Sequence, residues 1–274
     1  MVAVYNCQHE EEGFMKKLFF ILMFLYLCFL TGCAGKDVDP YQAYRRKTSI
    51  ELFVAGEKAL AKKNYLEAVK NFKALDVNYP FGPYAQQAQL DIIYAYYKSG
   101  DVASVILAAD RYIRLYPRGP HVDYAYYMRG IVGFELGLSW VQKLAAVNPA
   151  SRDISSLQKS YRAFATIVDM FPQSHYFSDA LIRMKYIRNL IAQHEIIIAQ
   201  FYLKRRAYVA AANRAAYVVQ HYQGSPEVIN GLVIMVEAYR ALDLPEMADL
   251  SYRLLKVNCQ NSPGLQKLHS CISL

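Results

Sequence analysis

Tryptophan occurs once, cysteine five times and histidine six times in these 274 residues, and none of them falls into a pattern that chemistry would use. Past residue 32 the histidines are His121, His175, His194, His221 and His269, none paired at metal-ligand spacing. There is no HExxH, no CxxC and no P-loop, and no serine sits in a GxSxG elbow. Metalloprotease, dithiol-redox, nucleotide-hydrolase and serine-hydrolase chemistry therefore lack their signatures, and no catalytic residue, metal or cofactor is assigned. Gly130, Gly133 and Gly137 follow Met128-Arg129 inside a helical stretch, so close helix packing explains them better than phosphate binding. Strand-type alternation is scarce. Charge is unbalanced, with 31 basic against 23 acidic residues, but no basic run is long enough to call for nucleic acid. Acidic proteins and anionic lipid remain as partners for the excess.

The one long apolar run is Leu18 to Leu30, after the positive cluster Met15-Lys16-Lys17. As a helix it would span about 20 Å, short of a hydrocarbon core of about 30 Å. That length suits the apolar region of an export signal. Leu30-Thr31-Gly32-Cys33 follows and resembles a bacterial lipobox, in which cleavage precedes a cysteine that is then acylated. Residues 1–32 are accordingly read as a lipoprotein signal with its working start at Met15, 33–48 as a lipidated linker, and 49–274 as the folded domain. Ala34 is not the aspartate that retains such lipoproteins at the inner membrane, which points to the periplasmic face of an outer membrane. Without residues 1–32 the charge balance is 29 basic to 20 acidic. Cys259 and Cys271 remain in a compartment that permits disulfides, and they either pair or stay free.

From there on, apolar residues recur at i, i+3, i+4 and i+7, clearly so over Glu57 to Leu75 and Asp101 to Tyr116. Proline and glycine mark the breaks at Tyr79-Pro80-Phe81-Gly82-Pro83, Tyr116-Pro117-Arg118-Gly119-Pro120, Phe171-Pro172 and Gly224-Ser225-Pro226. Pro80 to Pro117 is 37 residues, and so is Pro226 to Pro263. Leu52, Gly56, Ala59, Ala68, Phe72 and Pro80 fall where a tetratricopeptide repeat places them, with Gly56 and Ala68 letting two helices approach and Phe72 filling the gap. Ala199, Tyr202 and Ala211, then Val236, Tyr239 and Ala248, echo the pattern. The step from Pro117 to Pro172 is 18 residues too long, and the excess is placed between Leu136 and Asp153, around Trp140 and Asn148-Pro149. The step from Phe171 to Tyr222 is 14 too long, which predicts a lengthened helix from Ser178 to Tyr202. The fold class is all-α: a right-handed α-solenoid of about five degenerate tetratricopeptide helix pairs.

A solenoid of this kind leaves a groove lined by the first helix of each pair. Tyr94 and Tyr97 are placed on one face with Leu90, near Gln87 and Asp91, and Tyr124-Ala125-Tyr126-Tyr127 repeats the idea one unit later. Tyrosine offers a large surface with a polar tip, which suits a peptide carrying aromatics and backbone donors. Lys204-Arg205-Arg206, with Asn213 and Arg214, forms a second patch. It serves either the helix dipole or an acidic partner, and both readings stand.

The run Tyr79-Pro80-Phe81-Gly82-Pro83-Tyr84, continuing through Gln86-Gln87, Gln89-Leu90-Asp91 and Ile93-Tyr94-Ala95-Tyr96-Tyr97-Lys98, closely resembles the BamD family of the outer-membrane β-barrel assembly machinery. Asp110-Arg111-Tyr112-Ile113-Arg114-Leu115 and Tyr127-Met128-Arg129-Gly130 extend the resemblance, which covers roughly Gly32 to Cys259. It implies a non-enzymatic lipoprotein scaffold anchored to the outer membrane at Cys33. Its implied partners are the POTRA region of a BamA-type barrel subunit, other Bam lipoproteins and unfolded outer-membrane β-barrel proteins. By position, Arg205, Asn213 and Arg214 would face the barrel subunit. Phe81, Tyr84, Gln87, Asp91, Tyr94 and Tyr97 would line the substrate groove. The stretch Ser139 to Ser151 and the tail after Ser262 depart from the family pattern. The repeat pattern alone also fits another tetratricopeptide lipoprotein, such as a pilotin-like secretin assembly factor or a cell-wall coordinator.

Overall fold

Most of the described helices begin or end where their own sequence supplies a stop. In the computed structural model, which describes Met23 and residues 41–143 and 153–260, the ten helices after a short 3-10 turn at Gln42–Tyr44 are α1 (Ser49–Ala61), α2 (Tyr65–Asn78), α3 (Ala85–Ser99), α4 (Val102–Leu115), α5 (Val122–Lys143), α6 (Ser155–Met170), α7 (Phe177–Lys204), α8 (Tyr208–His221), α9 (Glu227–Ala241) and α10 (Pro245–Gln260). The unit Met1–Arg46 is separate from the helical unit Lys47–Leu274. A capping box starts α1: the Thr48 hydroxyl accepts from the Glu51 N–H at 3.3 Å, and the Glu51 carboxylate accepts from the Thr48 N–H at 2.8 Å. Asn64 and Asp101 accept from Glu67 and Ser104 N–H groups and start α2 and α4 in the same way.

Two kinds of turn alternate. The four described turns inside helix pairs each place one residue at positive φ: Lys63 (58°), Gly100 (77°), Arg206 (59°) and Asp243 (56°). A left-handed residue there ends one helix and starts its antiparallel partner within three residues. Between pairs, Tyr79, Tyr116 and Phe171 precede prolines and leave the helical region at ψ 57°, 60° and 59°.

The pairing is therefore α1/α2, α3/α4, α5/α6, α7/α8 and α9/α10. Each helix packs on the next, and first helices also touch across pairs, α3 with α5 and α7 with α9. The core is correspondingly a row of clusters, for example Leu90, Ile93, Val105, Ala109 and Tyr112 within the second pair. This is an α-solenoid of five tetratricopeptide-like pairs. The 14-residue excess lies in α7, which runs 28 residues. Part of the 18-residue excess lies in α5, which runs 22 residues, while Asn148 and Pro149 lie outside the described residues.

Close approach inside a pair depends on one small–large contact. A Cβ on Gly56 would stand 2.4 Å from Cε1 of the fully buried Phe72, and one on Gly130 would stand 2.6 Å from Phe164. In the second pair the equivalent positions are Ile93 and Ala109, both fully buried, so the bulk has moved to the other helix. Gly133 and Gly137 approach Ser160 and Leu157 of α6, and the Ser160 hydroxyl donates to the Gly130 carbonyl at 2.7 Å. These glycines serve helix packing. No described helix is long and apolar enough to cross a membrane. Cys259 is disulfide-bonded, whereas Cys33 and Cys271 lie outside the described residues, as does residues 1–32 except Met23.

Candidate functional site

Along α3, α5 and α7 the tyrosines divide into two sets by what they touch. The Tyr97 hydroxyl donates to Glu135 on α5 at 2.9 Å, and the Tyr127 hydroxyl donates to Asp179 on α7 at 2.8 Å. Tyr127 also stacks on Tyr176 with ring centroids 4.3 Å apart. Burial works against the charge of Asp179, but hydrogen bonds from Arg183 and Tyr127 outweigh it and hold its carboxyl below the usual range. These contacts tie successive first helices together and fix the surface beside them.

The second set lines an open cleft of ≈ 270 Å³ formed by Gln87, Leu90, Asp91 and Tyr94 of α3, with His121, Tyr124 and Tyr176. Asp91 lies half-buried in this cleft. The Gln87 amide donates to its Oδ1 at 2.9 Å, and its Oδ2 is buried without a donor. Its pKa is raised to about 7, first by burial and also by the negative charge of the Glu57 carboxylate of α1, against the lowering effect of the Gln87 hydrogen bond. Tyr124 is pushed well above its ordinary value, first by its own burial. The cleft thus offers an acceptor that lacks a donor, beside aromatic faces and hydroxyls.

Of the six residues assigned to a groove, the cleft gathers Gln87, Asp91 and Tyr94. Tyr97 is drawn away from it by Glu135, because one further turn of α3 faces the next repeat. Tyr84 stacks on Phe53 of α1 at 4.8 Å, and Phe81, in the turn before α3, is 99% exposed and stands outside the cleft. His121 and Tyr176 were missed, although the signal was present. Tyr84, His121 and Tyr176 each stand four residues after the proline of their turn, and Tyr124 is the 37-residue counterpart of Gln87.

The basic patch is also divided. Arg205 follows the last residue of α7 with its guanidinium 5.3 Å from the centroid of the half-exposed Phe201 ring. Asn213 joins Arg206, Ala207, Tyr208, Val209, Ala210 and Leu242 around an open cleft of ≈ 500 Å³. Arg214 instead pairs with Glu195 of α7 at 2.8 Å, and the Glu195 side chain is only 12% exposed. Arg214 is therefore a structural tie across the fourth pair as well as a surface cation. Among the described residues no group of three or more His, Cys, Asp or Glu could hold a metal.

A family model described as YfiO, outer membrane lipoprotein, matches residues 45–254. The chain is 38% identical over 244 residues to the outer membrane protein assembly factor BamD of Neisseria meningitidis serogroup B, covering 89% of this chain and 90% of that one. It is 33% identical over 244 residues to the protein of the same name in Haemophilus influenzae, covering 89% and 92%. A further relative so named, from Vibrio cholerae, is 32% identical over 239 residues, covering 85% and 95%.

Proposed function

This chain belongs to the BamD family of outer membrane lipoproteins, and from that membership we propose that it is the lipid-anchored scaffold of an outer-membrane protein assembly machine. It is a binding protein and not an enzyme. Acylation at Cys33 holds it to the periplasmic face of the outer membrane. The end of the fourth pair, with Arg205, Asn213 and Arg214, docks on the POTRA region of a BamA-type barrel subunit, and other Bam lipoproteins join. Unfolded outer-membrane β-barrel proteins enter the cleft between α3 and α5.

The observation that carries the substrate half of this reading is Asp91. A buried carboxyl oxygen without a donor calls for an incoming N–H, which an unpaired β-strand segment supplies along its edge. Tyr94, Tyr124 and Tyr176 around it take aromatic side chains of that segment. The test is a mild-detergent pull-down of the tagged full-length lipoprotein carrying a photo-crosslinking residue at Tyr94 or at Arg205. The expected result is a POTRA-bearing barrel subunit in the pull-down, crosslinked from position 205, with unfolded barrel protein crosslinked from position 94. A secretin recovered in its place overturns the reading.

A further inference from the structure

A third cleft, on another part of the solenoid, has no place in that reading. It measures ≈ 330 Å³ and is formed by Gln158, Tyr161 and Arg162 of α6, Arg188 and Ile191 of α7, and His221 and Tyr222 at the end of α8. Arg188 donates from Nη2 to the His221 carbonyl at 3.2 Å, closing the C-terminus of α8. Arg162 donates from Nε to the Gln158 carbonyl of its own helix at 3.4 Å. Neither guanidinium has a carboxylate partner among the described residues. The other described cross-helix arginines are matched: Arg111 with Asp76 at 2.6 Å, Arg129 with Asp110 at 2.8 Å and Arg214 with Glu195 at 2.8 Å. Glu195, whose charge reaches Tyr222 at the cleft wall, is thus already engaged elsewhere.

We infer that this cleft between α6, α7 and α8 is a docking site for an acidic segment of a protein partner, whose Asp or Glu side chain the unpaired Arg162 and Arg188 receive. A guanidinium carries five donors in a planar fork that matches a carboxylate, and here each arginine spends one on backbone. The rest of the wall is Ile191 and the Tyr161 and Tyr222 rings, which an aliphatic or aromatic neighbour of the acidic residue covers. A bare phosphate would leave that surface wet. A membrane surface is the poorer fit, because recognition of anionic lipid uses clusters of about four to eight Lys and Arg rather than two in a concave site. On α8, Tyr217 and His221 lie one turn apart at i and i+4 with ring centroids 4.5 Å apart, so the cleft continues into an exposed surface.

The test uses the full-length lipoprotein in zwitterionic detergent and a terminally blocked peptide alternating glutamate and leucine, with its glutamine counterpart as control. The glutamate peptide is expected to bind about tenfold more tightly than the glutamine peptide, and Arg162→Gln and Arg188→Gln to lose about tenfold each. Arg188→Lys, which keeps the charge and loses the fork, should fall between. Arg162→Gln touches only its own helix, so its melting temperature should match the parent, which separates loss of binding from loss of fold. Tyr94→Ala, in the other cleft, should leave this affinity unchanged even where it abolishes substrate binding. Equal affinity for the two peptides, or binding indifferent to Arg162→Gln, overturns the assignment. So does displacement by inorganic phosphate at about 10 mM, or arginine-dependent binding to vesicles rich in phosphatidylglycerol, either of which makes the site one for phosphate.

Discussion

Replacing Gly56 with alanine should destabilise the protein, although the same change in an ordinary helix interior stabilises it. In an unhindered helix, glycine to alanine is worth a gain of about 1 kcal/mol. Here the new Cβ would lie 2.4 Å from Cε1 and 2.6 Å from Cζ of Phe72, whose ring is fully buried and has nowhere to turn. Overpacking of that kind costs about 1–3 kcal/mol, and an overlap this deep belongs at the upper end, leaving a net loss of about 2 kcal/mol. For a folded domain of this size that lowers the melting temperature by about 4–8 °C. Thermal and urea unfolding followed by circular dichroism at 222 nm measure it, with Phe72→Ala alone and the double variant completing the cycle. Phe72→Ala alone should cost about 3–5 kcal/mol through the cavity it leaves. Because removing the ring removes the whole clash while the helix gain of alanine remains, the double variant should be more stable than the sum of the two losses by about 3 kcal/mol. Higher stability of Gly56→Ala, or strict additivity in the cycle, would refute the packing argument. Gly56→Leu should cost more than alanine, since three further carbons enter the same space.

Three other perturbations test separate parts of the structure. Asp91 has its folded-state pKa raised to about 7 from 3.8, so its protonated form favours the folded state. That contribution is complete below pH 4 and is lost as pH rises through 7. Asp91→Asn should therefore change little at pH 4 and, discounted for partial exposure to solvent, gain about 1–2 kcal/mol at pH 8, measured by urea unfolding at both values; an equal effect at the two pH values would remove Asp91 from the account. Lys63→Gly relieves a left-handed φ of 58° and should gain about 0.5–1 kcal/mol, whereas Gly100→Ala, at φ 77° with nothing within 4 Å, should lose about 1 kcal/mol. If both move in the same direction, backbone strain is not the cause. Arg214→Ala strands the largely buried Glu195 and should cost about 1–2 kcal/mol in unfolding experiments, so any loss of partner binding by Arg214 variants must be read against their stability. Arg205→Ala is the cleaner probe of the docking surface, and unchanged stability of Arg214→Ala would show that the ion pair contributes nothing.

The fold was readable because its information is local. Prolines after Tyr79, Tyr116 and Phe171 interrupt helices by blocking the residue before them, and that needs no knowledge of the rest of the chain. The 37-residue step, with Gly56 and Phe72 in register, then specified pairs that bury one face each. The left-handed turns at Lys63 and Arg206 were not readable, since neither residue type favours positive φ by itself, whereas Asp243 is of a type that visits that region more readily. The surrounding helix packing imposes that conformation. The binding surfaces were legible as to residue type and only partly as to membership. Helical spacing put Tyr97 beside Tyr94, yet the partner that decides its direction, Glu135, lies 38 residues later on another helix.

What the sequence determined by itself is whatever depends on neighbours along the chain: the lipobox-like segment, the helix boundaries, the repeat and, through the YPFGPY-to-YAYYK stretch, the family. What only tertiary structure decided is which charges are spent and which are free. Arg214 and Arg162 read alike in sequence, but one is held at 2.8 Å by a largely buried carboxylate and the other faces a cleft with none among the described residues. Pairing of that kind depends on side chains brought together from separate helices. The energy of a guanidinium is set by the carboxylate within a few ångströms of it, and chain order alone does not give that distance.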